Sequence, residues 1–493
     1  MRIRKGVFRP EADDPVGRDP ALDEQRGDRQ NRQRNDVADQ EVFHVRPVQY
    51  ALIPAHRRVA AMTRPSPTDH RTRRPLAFAA AALAIAMSAA AQEDWPGFRG
   101  PHRDGRVTGW PEAMNDPRGW PESLEQRWRI PVGLGHASPV VHDGTAFVFT
   151  REGAEEVLRA LRPADGTEVW RASYPAPYTM NPAAVGHGPG PKATPDIAAG
   201  RIFTLGISGI LSAWNAGDGS LLWRRPPDPR FGGAESPLFG AGSSPGASPA
   251  GDVVLVHLGG PDNGTFAVLA AATGETVWEH FGDGPAYVSP TVVKVAGVQA
   301  IPTMTEERIV LLAPADGRVL WEMPFTTPYD QNIVNPAVLP GGEVVIFAGL
   351  ASPTFAVRFR EAPDGALSGE TVWEAGDSPF YMSNPVLAGD RLIGFSERNS
   401  GQFVAMDPRT GADFWRSPPR RGENAALLVA GDAVLALTDQ AELLVLDPAA
   451  AAFEPLRRYE VAPSPTWAHP VPLSGGLLVK DETHLALWTF RPE

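Results

Sequence analysis

The sequence contains no cysteine among its 493 residues. Disulfides, thiolate metal sites, a cysteine nucleophile and a lipid anchor on cysteine are therefore excluded. Long amphipathic helical patterns are also missing, whereas glycine (49) and proline (51) are both abundant. Because glycine and proline interrupt helices and favour turns, we expect short strands joined by turns, with very little helix.

Motifs that would carry catalysis are equally scarce. The histidines are scattered, with no pair at metal-binding spacing, and no glycine-rich phosphate loop stands between a strand and a helix. Residues 242–246 match the Gly-x-Ser-x-Gly nucleophile pattern, but they lie in a loop rich in Gly, Ser and Pro, without the following helix that this motif needs. We therefore assign no catalytic residue and no metal ligand from motifs.

The net charge is −12, and without residues 1–91 it would be about −17. A surface of this sign repels nucleic acid and anionic membranes, so we expect neither as a partner. The apolar run before residue 91 is too short for a confident transmembrane helix, and we expect no membrane span. The charge suits a monomeric protein of the periplasm or the exterior.

The first 91 residues differ in composition from the rest. Residues 1–61 are rich in Arg and Asp and lack apolar periodicity, so they are either a disordered extension or a segment ahead of the true translation start. Residues 62–91 have the parts of an export signal: basic residues, an apolar run from Leu76 to Met87, and alanines up to Ala91. We expect cleavage near Ala91, followed by periplasmic location or secretion. The Arg73-Arg74 pair resembles part of a twin-arginine signal, although ordinary export is the simpler route.

A unit of strand, tight turn and strand ending in Trp is repeated along the chain. In the first copy, Gly166 precedes Trp170 by four residues. The other pairs are Gly219 and Trp223, Gly274 and Trp278, Gly317 and Trp321, Gly369 and Trp373, and Gly411 and Trp415. Glycine allows positive φ in the turn, and Trp can bury a large flat surface against the next unit. We predict that these tryptophans dock one blade on another and do not stack on a ligand; the docking set is Trp128, Trp170, Trp223, Trp278, Trp321, Trp373 and Trp415.

Such units at a fixed period predict a β-propeller. The first six blades are expected at 137–170, 193–223, 247–278, 289–321, 335–373 and 384–415, and a degenerate seventh at 425–459. Residues 469–490 supply only three strands, and an orphan strand at 124–130 can complete them. We therefore predict an all-β, eight-bladed propeller of four-stranded antiparallel blades spanning 124–493, closed by its N-terminal strand and preceded by an arm at 92–123. A seven-bladed ring with the last segment packed outside is the alternative.

The connections between blades carry the candidate binding residues. A Ser/Thr/Asn-Pro step leads into the inner strands at Ser138, Thr194, Ser248, Ser289, Asn335 and Asn384. In a propeller these connections converge on one face of the central channel, where ligands bind. The candidate ligand-binding or partner-binding residues are His136, Tyr178, His187, Lys192, Tyr287, Tyr329, Asn332, Tyr381, Asn384 and Trp467. Alternatively, they only fill and hydrogen-bond the channel mouth.

The Gly-x-x-x-Trp blades and the Trp-Pro-Gly-Phe-Arg-Gly-Pro segment at 95–101 resemble bacterial PQQ-like (pyrroloquinoline-quinone) β-propeller repeat proteins. Residues 188–195, Gly-Pro-Gly-Pro-Lys-Ala-Thr-Pro, are similar to a step at the start of an early blade in that group. The resemblance covers nearly all of residues 94–490 and implies a propeller fold.

For function, the resemblance implies two alternatives. The same repeat occurs in a non-catalytic outer-membrane assembly lipoprotein and in quinoprotein alcohol dehydrogenases, which typically use adjacent cysteines and a calcium ion. Since cysteine is absent, we favour a binding or assembly scaffold without a cofactor, whose partner is an envelope protein or a small ligand. The alternative is an oxidoreductase acting on alcohols or sugars, with PQQ and calcium near Lys192, Tyr287, Tyr381 and Asn384.

Overall fold

The computed structural model describes residues 94–231, 237–377 and 379–490. The predicted N-terminal extension (1–61) and export signal (62–91) lie outside these residues. The described residues form eight antiparallel four-stranded sheets, one of which gains a fifth strand. The predicted all-β, eight-bladed propeller is therefore confirmed, and the seven-bladed alternative is wrong.

Each blade is a meander whose innermost strand faces the channel. The innermost strands are β3 (Val140–His142), β7 (Asp196–Ala198), β11 (Gly246–Ala247), β15 (Val293–Val295), β19 (Ala337–Val338), β23 (Val386–Ala388), β27 (Ala425–Ala430) and β31 (Val471–Leu473). The second strands are β4 (Thr145–Glu152), β8 (Arg201–Leu205), β12 (Val253–Gly260), β16 (Val298–Met304), β20 (Val344–Phe347), β24 (Arg391–Ser396), β28 (Ala433–Thr438) and β32 (Gly476–Lys480).

The two remaining positions of each blade lie farther from the channel. The third strands are β5 (Glu155–Leu161), β9 (Leu211–Asn215), β13 (Asn263–Ala270), β17 (Arg308–Leu312), β21 (Thr354–Glu361), β25 (Gln402–Met406), β29 (Glu442–Leu446) and β33 (His484–Phe490). The outer strands are β6 (Glu168–Pro175), β10 (Leu221–Arg225), β14 (Thr276–Gly282), β18 (Val319–Pro324), β22 (Leu367–Ala375), β26 (Asp413–Arg416), β30 (Arg457–Glu460) and β2 (Leu124–Pro131).

The ring closes between the N-terminal and C-terminal parts of the propeller. Strand β2 is the outer strand of the eighth blade and pairs antiparallel with β33, from Leu124 opposite Phe490 to Pro131 opposite His484. This pairing covers the sheet edge that β33 would otherwise expose. The predicted closure is confirmed.

Buried strands and docked tryptophans hold neighbouring blades together. The middle strands are apolar and buried on both faces, as in β28, where every residue is buried. In six blades the Trp side chain of the outer strand lies over a glycine of the next blade: a Cβ on Gly219, for example, would stand 2.5 Å from the Trp170 ring. The outer strand then continues beyond the Trp, as β6 does to Pro175. The prediction of an outer strand ending in Trp is therefore wrong.

In the fifth blade, the glycine four residues before the Trp contacts the tryptophan of the preceding blade but does not form the turn. There the turn glycine is Gly365, with φ 76°, and Gly369 lies inside β22. A Cβ on Gly369 would nevertheless stand 2.8 Å from the Trp321 ring. The prediction of Gly369 as a turn residue is wrong, because β21 and β22 pair for longer than in the other blades and move the turn outward.

The arm at 94–123 crosses the channel before the propeller begins. Trp95 bridges Val141 of the first blade, and the carbonyl oxygen of Pro96 accepts a hydrogen bond from the Ile197 N–H of the second at 2.8 Å. Arg99 donates to the Pro385 carbonyl oxygen of the sixth blade at 2.7 Å. Strand β1 (Arg106–Val107) then pairs parallel with β27 as the fifth strand of the seventh blade. Because the second and sixth blades stand on opposite sides of the ring, the arm spans the channel.

Helical structure in the described ranges is limited to short 3₁₀ turns. They are Glu112–Met114, Pro117–Gly119, Pro182–His187, Pro229–Phe231, Pro328–Asp330 and Arg398–Ser400. None of the helices in this part of the chain is long and apolar enough to span a lipid bilayer.

Candidate functional site

One residue from each blade lines a single chamber at the channel mouth. In blade order they are Ser138, Thr194, Ser244, Ser289, Asn335, Asn384, Asn424 and His469, here called the belt. Each precedes an innermost strand, and seven of the eight are followed directly by proline, which is tolerated at the start of a strand. Asn424 is the exception, because it is followed by Ala425, whereas Ser244 is followed by Pro245. The Ser/Thr/Asn-Pro steps of the sequence therefore converge on one ring.

Hydrogen bonds join the belt from blade to blade. The Ser138 N–H donates to Thr194 Oγ1 at 3.1 Å, and the Thr194 N–H donates to Ser244 Oγ at 2.9 Å. The Asn335 N–H donates to Asn384 Oδ1 at 2.7 Å. Between the eighth and first blades, the His469 N–H donates to Ser138 Oγ at 2.9 Å. Short polar side chains at these positions thus satisfy buried N–H groups of the preceding blade.

The third blade uses a different step from the predicted one. The belt residue is Ser244, whereas Ser248 lies beyond β11 and its hydroxyl hydrogen-bonds Asp252 at 2.5 Å in an exposed turn. The prediction of Ser248 is wrong because two Ser-Pro steps stand four residues apart and the sequence alone does not rank them. Ser244 Oγ accepts the Thr194 N–H, and Ser243 Oγ donates to the Val288 carbonyl oxygen at 2.7 Å. Both serines of the Gly-x-Ser-x-Gly match are therefore engaged in blade packing.

Aromatic side chains form the outer wall of the chamber, whose volume is about 150 Å³. The Trp467 and His187 rings are 5.1 Å apart, His187 and Phe239 are 4.8 Å apart, and Phe239 and Tyr287 are 5.9 Å apart. We call these four residues the aromatic arc. At the base, Phe98 of the arm packs edge-on against His469 at 4.9 Å. The arm therefore supplies part of the chamber wall.

Lys192 places an ammonium group in this chamber. Its Nζ lies 3.1 Å from the Gly188 carbonyl oxygen and 3.5 Å from that of His187. Burial lowers the pKa of Lys192 to about 8, so the group is mostly protonated at neutral pH. The pKa of His136 falls to about 3, first because the ring is buried and then because Lys192 is near. His136 is therefore neutral, and its Nε2 donates to the His187 carbonyl oxygen at 2.7 Å.

A wider vestibule of about 470 Å³ adjoins the chamber and shares the His187, Phe239 and Trp467 side chains with it. Tyr329 stands at its rim with 76% of its surface exposed. The Tyr381 hydroxyl hydrogen-bonds Gln331 Oε1, and burial raises the pKa of this tyrosine above its ordinary value. Glu397 and Glu423 also line the vestibule, so carboxylates face it.

The predicted site residues fall into three groups. His136, His187, Lys192, Tyr287, Asn384 and Trp467 line the chamber, and Tyr329 and Tyr381 line the vestibule together with His187 and Trp467. Tyr178 lies outside both, with its hydroxyl next to Gly240. Asn332 is fully buried, and its amide donates to the carbonyl oxygen of Thr305 at 2.7 Å. Asn332 thus fixes the connection between the fourth and fifth blades and does not face the channel.

The sequence reasoning missed several lining residues. Phe98 comes from the arm, Phe239, Met382 and Glu423 come from connections between blades, and Glu397 comes from the loop beyond second strand β24. Only the repeated Ser/Thr/Asn-Pro steps gave a signal for lining positions outside the candidate set, since they pointed to Ser138, Thr194, Ser289 and Asn335. Ordinary loop residues carry no such periodicity.

The side chains of the chamber offer few ligands for PQQ and calcium. Lys192 and the aromatic arc suit a planar anion, but the chamber is smaller than the ~300–1,000 Å³ of ordinary ligand pockets. The side-chain oxygens of Asn335 and Asn384 already accept backbone N–H groups. Within 94–231, 237–377 and 379–490, no three Asp, Glu, His or Cys side chains are grouped to hold a metal ion. The residues present do not fit a calcium-bound PQQ.

Comparisons with known proteins agree on the fold. A family model described as "Outer membrane protein assembly factor BamB" matches residues 154–417 and 358–453, together more than half of the chain. The outer membrane protein assembly factor BamB of Shewanella oneidensis is 24% identical over 253 residues, which cover 47% of this chain and 59% of that protein. The chain therefore spans about three fifths of the length of this curated relative.

Two solved structures match this chain. BamB from Moraxella catarrhalis superposes with a TM-score of 0.51 at 16% identity, covering 74% of this chain and all of that chain. A europium-containing methanol dehydrogenase gives a TM-score of 0.49 at 12% identity, covering 81% of this chain and 99% of that chain. At 16% identity the likeness to BamB from Moraxella catarrhalis concerns the propeller fold alone.

Proposed function

Since the chain belongs to the PQQ-like β-propeller family described as outer membrane protein assembly factor BamB, we propose that it is an exported, non-enzymatic scaffold of the cell envelope that binds a protein partner at its channel mouth. The observation that carries this proposal is the two-part recess on that face, where the aromatic arc leads from the chamber to the vestibule. Aromatic side chains around a concavity are typical anchors of protein interfaces.

Exposure at the rim supports a macromolecular partner. Tyr329 is 76% exposed and Val185 is 60% exposed. Val185 belongs to the 3₁₀ turn Pro182–His187, which also supplies vestibule residues. Large apolar side chains exposed beside a recess enlarge the surface that a partner can cover.

The state of the polar groups supports binding over catalysis. Belt side chains such as Thr194 and Asn384 accept backbone N–H groups from the neighbouring blade. Neutral His136 donates its Nε2 proton to a carbonyl oxygen, which holds the ring in place. A general base needs a free acceptor within reach of a nucleophile. These groups instead make hydrogen bonds that hold neighbouring parts of the fold together.

A capture experiment tests the proposal. The full chain, immobilised, is incubated with detergent-solubilised envelope extract, and bound proteins are quantified by mass spectrometry. We expect at least one partner that is retained by the wild type and reduced about tenfold or more by the Tyr329→Ala/Trp467→Ala double variant. Phe281→Ala is the matched control, because Phe281 is 57% exposed on outer strand β14. Identical capture by all three proteins would contradict the proposal.

A quinoprotein oxidoreductase is the second candidate, favoured only by Lys192 and the aromatic arc in one chamber. Purified protein mixed with PQQ and calcium tests it through the absorption spectrum and dye-linked oxidation of alcohols or sugars. Stoichiometric binding with turnover would replace the scaffold proposal. No spectral shift and no turnover would end this alternative.

A further inference from the structure

Within the part of the chain that the structure describes, no side chain that lines the chamber offsets the charge on Lys192. Both acceptors of its ammonium group, the carbonyl oxygens of His187 and Gly188, are neutral. Among the described residues that line the chamber, none carries a carboxylate. A buried cation in apolar surroundings is costly unless an anion pairs with it. The chamber is therefore suited to an anionic group brought by a ligand.

Neighbouring titratable groups strengthen this preference. His136 and His187 both have lowered pKa values, for which burial is the main cause, so neither adds a negative or a strongly positive charge at neutral pH. Lys480, whose Nζ donates to the Gly135 carbonyl oxygen at 2.5 Å behind the chamber, is close enough to lower the pKa of His136. The chamber lining thus contributes the positive charge of Lys192 in a protein whose net charge is −12.

The sign of the charge reverses toward solvent. Glu397 and Glu423 line the vestibule, and their proximity adds to burial, the main cause, in raising the pKa of Tyr381. Glu423 also acts on His187, which borders chamber and vestibule alike. A ligand that follows the recess outward therefore meets first a cation, then aromatic rings, then carboxylates.

We propose that the recess binds the C-terminal residue of a partner polypeptide. The terminal carboxylate pairs with Lys192, the last side chain is aromatic or large and apolar and packs on Trp467 and Phe239, and a basic residue just upstream faces Glu397 and Glu423. This inference rests on the proposed scaffold function and names the part of the partner that is recognised. Capture of a chain terminus by a buried cation is chemically related to known carboxylate recognition.

A polypeptide fits better than a small carboxylate because the recess continues. The chamber of about 150 Å³ opens on the vestibule of about 470 Å³, and the two share His187, Phe239, Met382 and Trp467 as walls. A small aromatic carboxylate would leave the vestibule and its two glutamates unused. An extended chain held by its end would fill both parts.

Fluorescence anisotropy with labelled peptides tests the inference. The probes are an N-terminally labelled hexapeptide ending in Lys-Gly-Phe with a free carboxylate, and the same peptide with a C-terminal amide. We expect the acid to bind the full chain about tenfold more tightly than the amide. Lys192→Met should abolish this difference and leave the amide affinity unchanged, which also shows that the variant is folded. Lys294→Met, a change at an exposed lysine of β15, should preserve the difference.

Each contrary outcome has a distinct meaning. Equal binding of acid and amide, or no binding of either, overturns the carboxylate inference; if the Tyr329→Ala/Trp467→Ala variant still loses its envelope partner, the scaffold function stands without it. The labelled acid can also be displaced with unlabelled peptide or with 3-phenylpropionate. If 3-phenylpropionate displaces it at the same concentration as the unlabelled peptide, the chamber recognises a small aromatic carboxylate, and the polypeptide assignment is overturned. If the variant captures every partner as the wild type does, the scaffold function fails.

Discussion

The indole of Trp128 lies over Gly166, and its Nε1 donates a hydrogen bond to the Pro163 carbonyl oxygen at 2.9 Å. Trp128 belongs to the eighth blade and Gly166 to the first, so this contact joins the two ends of the ring beside the β2 and β33 pairing. A Cβ on Gly166 would stand 3.1 Å from the indole, and its φ of 72° is also unfavourable for other residues. Glycine is therefore favoured at position 166 both by the positive φ and by the close contact with the indole.

Trp278 offers a test of this blade-to-blade contact within the ring. Its Nε1 donates to the Pro314 carbonyl oxygen at 3.0 Å, and its ring covers Gly317. Trp278→Ala removes a large packed side chain and should cost roughly 3–5 kcal/mol of unfolding free energy. Denaturant unfolding measures this loss. Val277→Ala, at a residue 55% exposed on the same strand, should change little.

Binding separates a docking role from a ligand-binding role for Trp278. We expect the folded fraction of Trp278→Ala to bind the labelled peptide as the wild type does. A variant of unchanged stability that no longer binds would mean that the tryptophan contacts the ligand.

The ring could be predicted because its determinants repeat. The Gly-x-x-x-Trp spacing marks the hairpins, and the three-strand remainder at the C-terminal end demanded the strand around Trp128. The exception is instructive, since Gly369 keeps its spacing from Trp373 while the turn moves to Gly365. The spacing between Gly and Trp therefore indicates the docking contact more reliably than it indicates the position of the turn.

The path of the arm could not be predicted, because its contacts are made once and far apart in sequence. Nothing in the sequence around Arg99 identifies the Pro385 carbonyl oxygen as its acceptor. The chamber wall was only partly predictable for the same reason. Candidate residues beside the Ser/Thr/Asn-Pro steps, such as Lys192, reach it, whereas Asn332 turns inward to satisfy buried carbonyl oxygens.

The belt predicts a specific dependence on short polar side chains. Thr194 is buried, and its Oγ1 accepts the N–H of Ser138. Thr194→Val keeps the volume but leaves that N–H unpaired, which should cost about 1–3 kcal/mol. Thr194→Ser retains the acceptor and should cost less than Thr194→Val. Thermal unfolding of the two variants checks this order, and equal losses would assign the effect to packing.

The arm predicts a pH-dependent ion pair inside the channel. Arg103 Nη2 lies 2.6 Å from Asp196 Oδ2, and the two side chains are only 10% and 4% exposed. Burial raises the pKa of Asp196 to about 6, and Arg103 opposes this rise. Arg103→Met should cost about 3–5 kcal/mol at pH 8, because it leaves a buried carboxylate unpaired. At pH 5 the loss should shrink, since Asp196 can then take up a proton.

Unfolding at the two pH values, combined with limited proteolysis of the arm, measures the effect of Arg103→Met. Adding Asp196→Asn should recover part of the stability at pH 8 by removing the unpaired charge. Arg118→Met, at a side chain 69% exposed, is the control and should change little. A loss that is the same at pH 5 and pH 8 would show that the lost packing of Arg103, not the charge of Asp196, decides the outcome.

The raised pKa of Glu306 predicts that the stability of the fold decreases as the pH rises. Burial, followed by the nearby charges of Asp330, Asp262 and Asp283, raises its pKa from 4.5 to about 7. Between these values the folded state binds more protons than the unfolded state, so stability decreases as the pH rises through that window and stays lower above it. Each pKa unit corresponds to about 1.4 kcal/mol, so the decrease is at most about 3.5 kcal/mol.

Glu306→Gln removes this titration while retaining an oxygen that can accept the Asp262 N–H, which Glu306 Oε2 now accepts at 2.8 Å. The variant should melt at a higher temperature than the wild type at pH 8 and at nearly the same temperature at pH 5. Glu343→Gln, at an exposed residue, is the matched control and should follow the wild type at both values. A Glu306→Gln variant that is less stable at pH 8 would mean that the ionised carboxylate is held by favourable contacts that outweigh its burial.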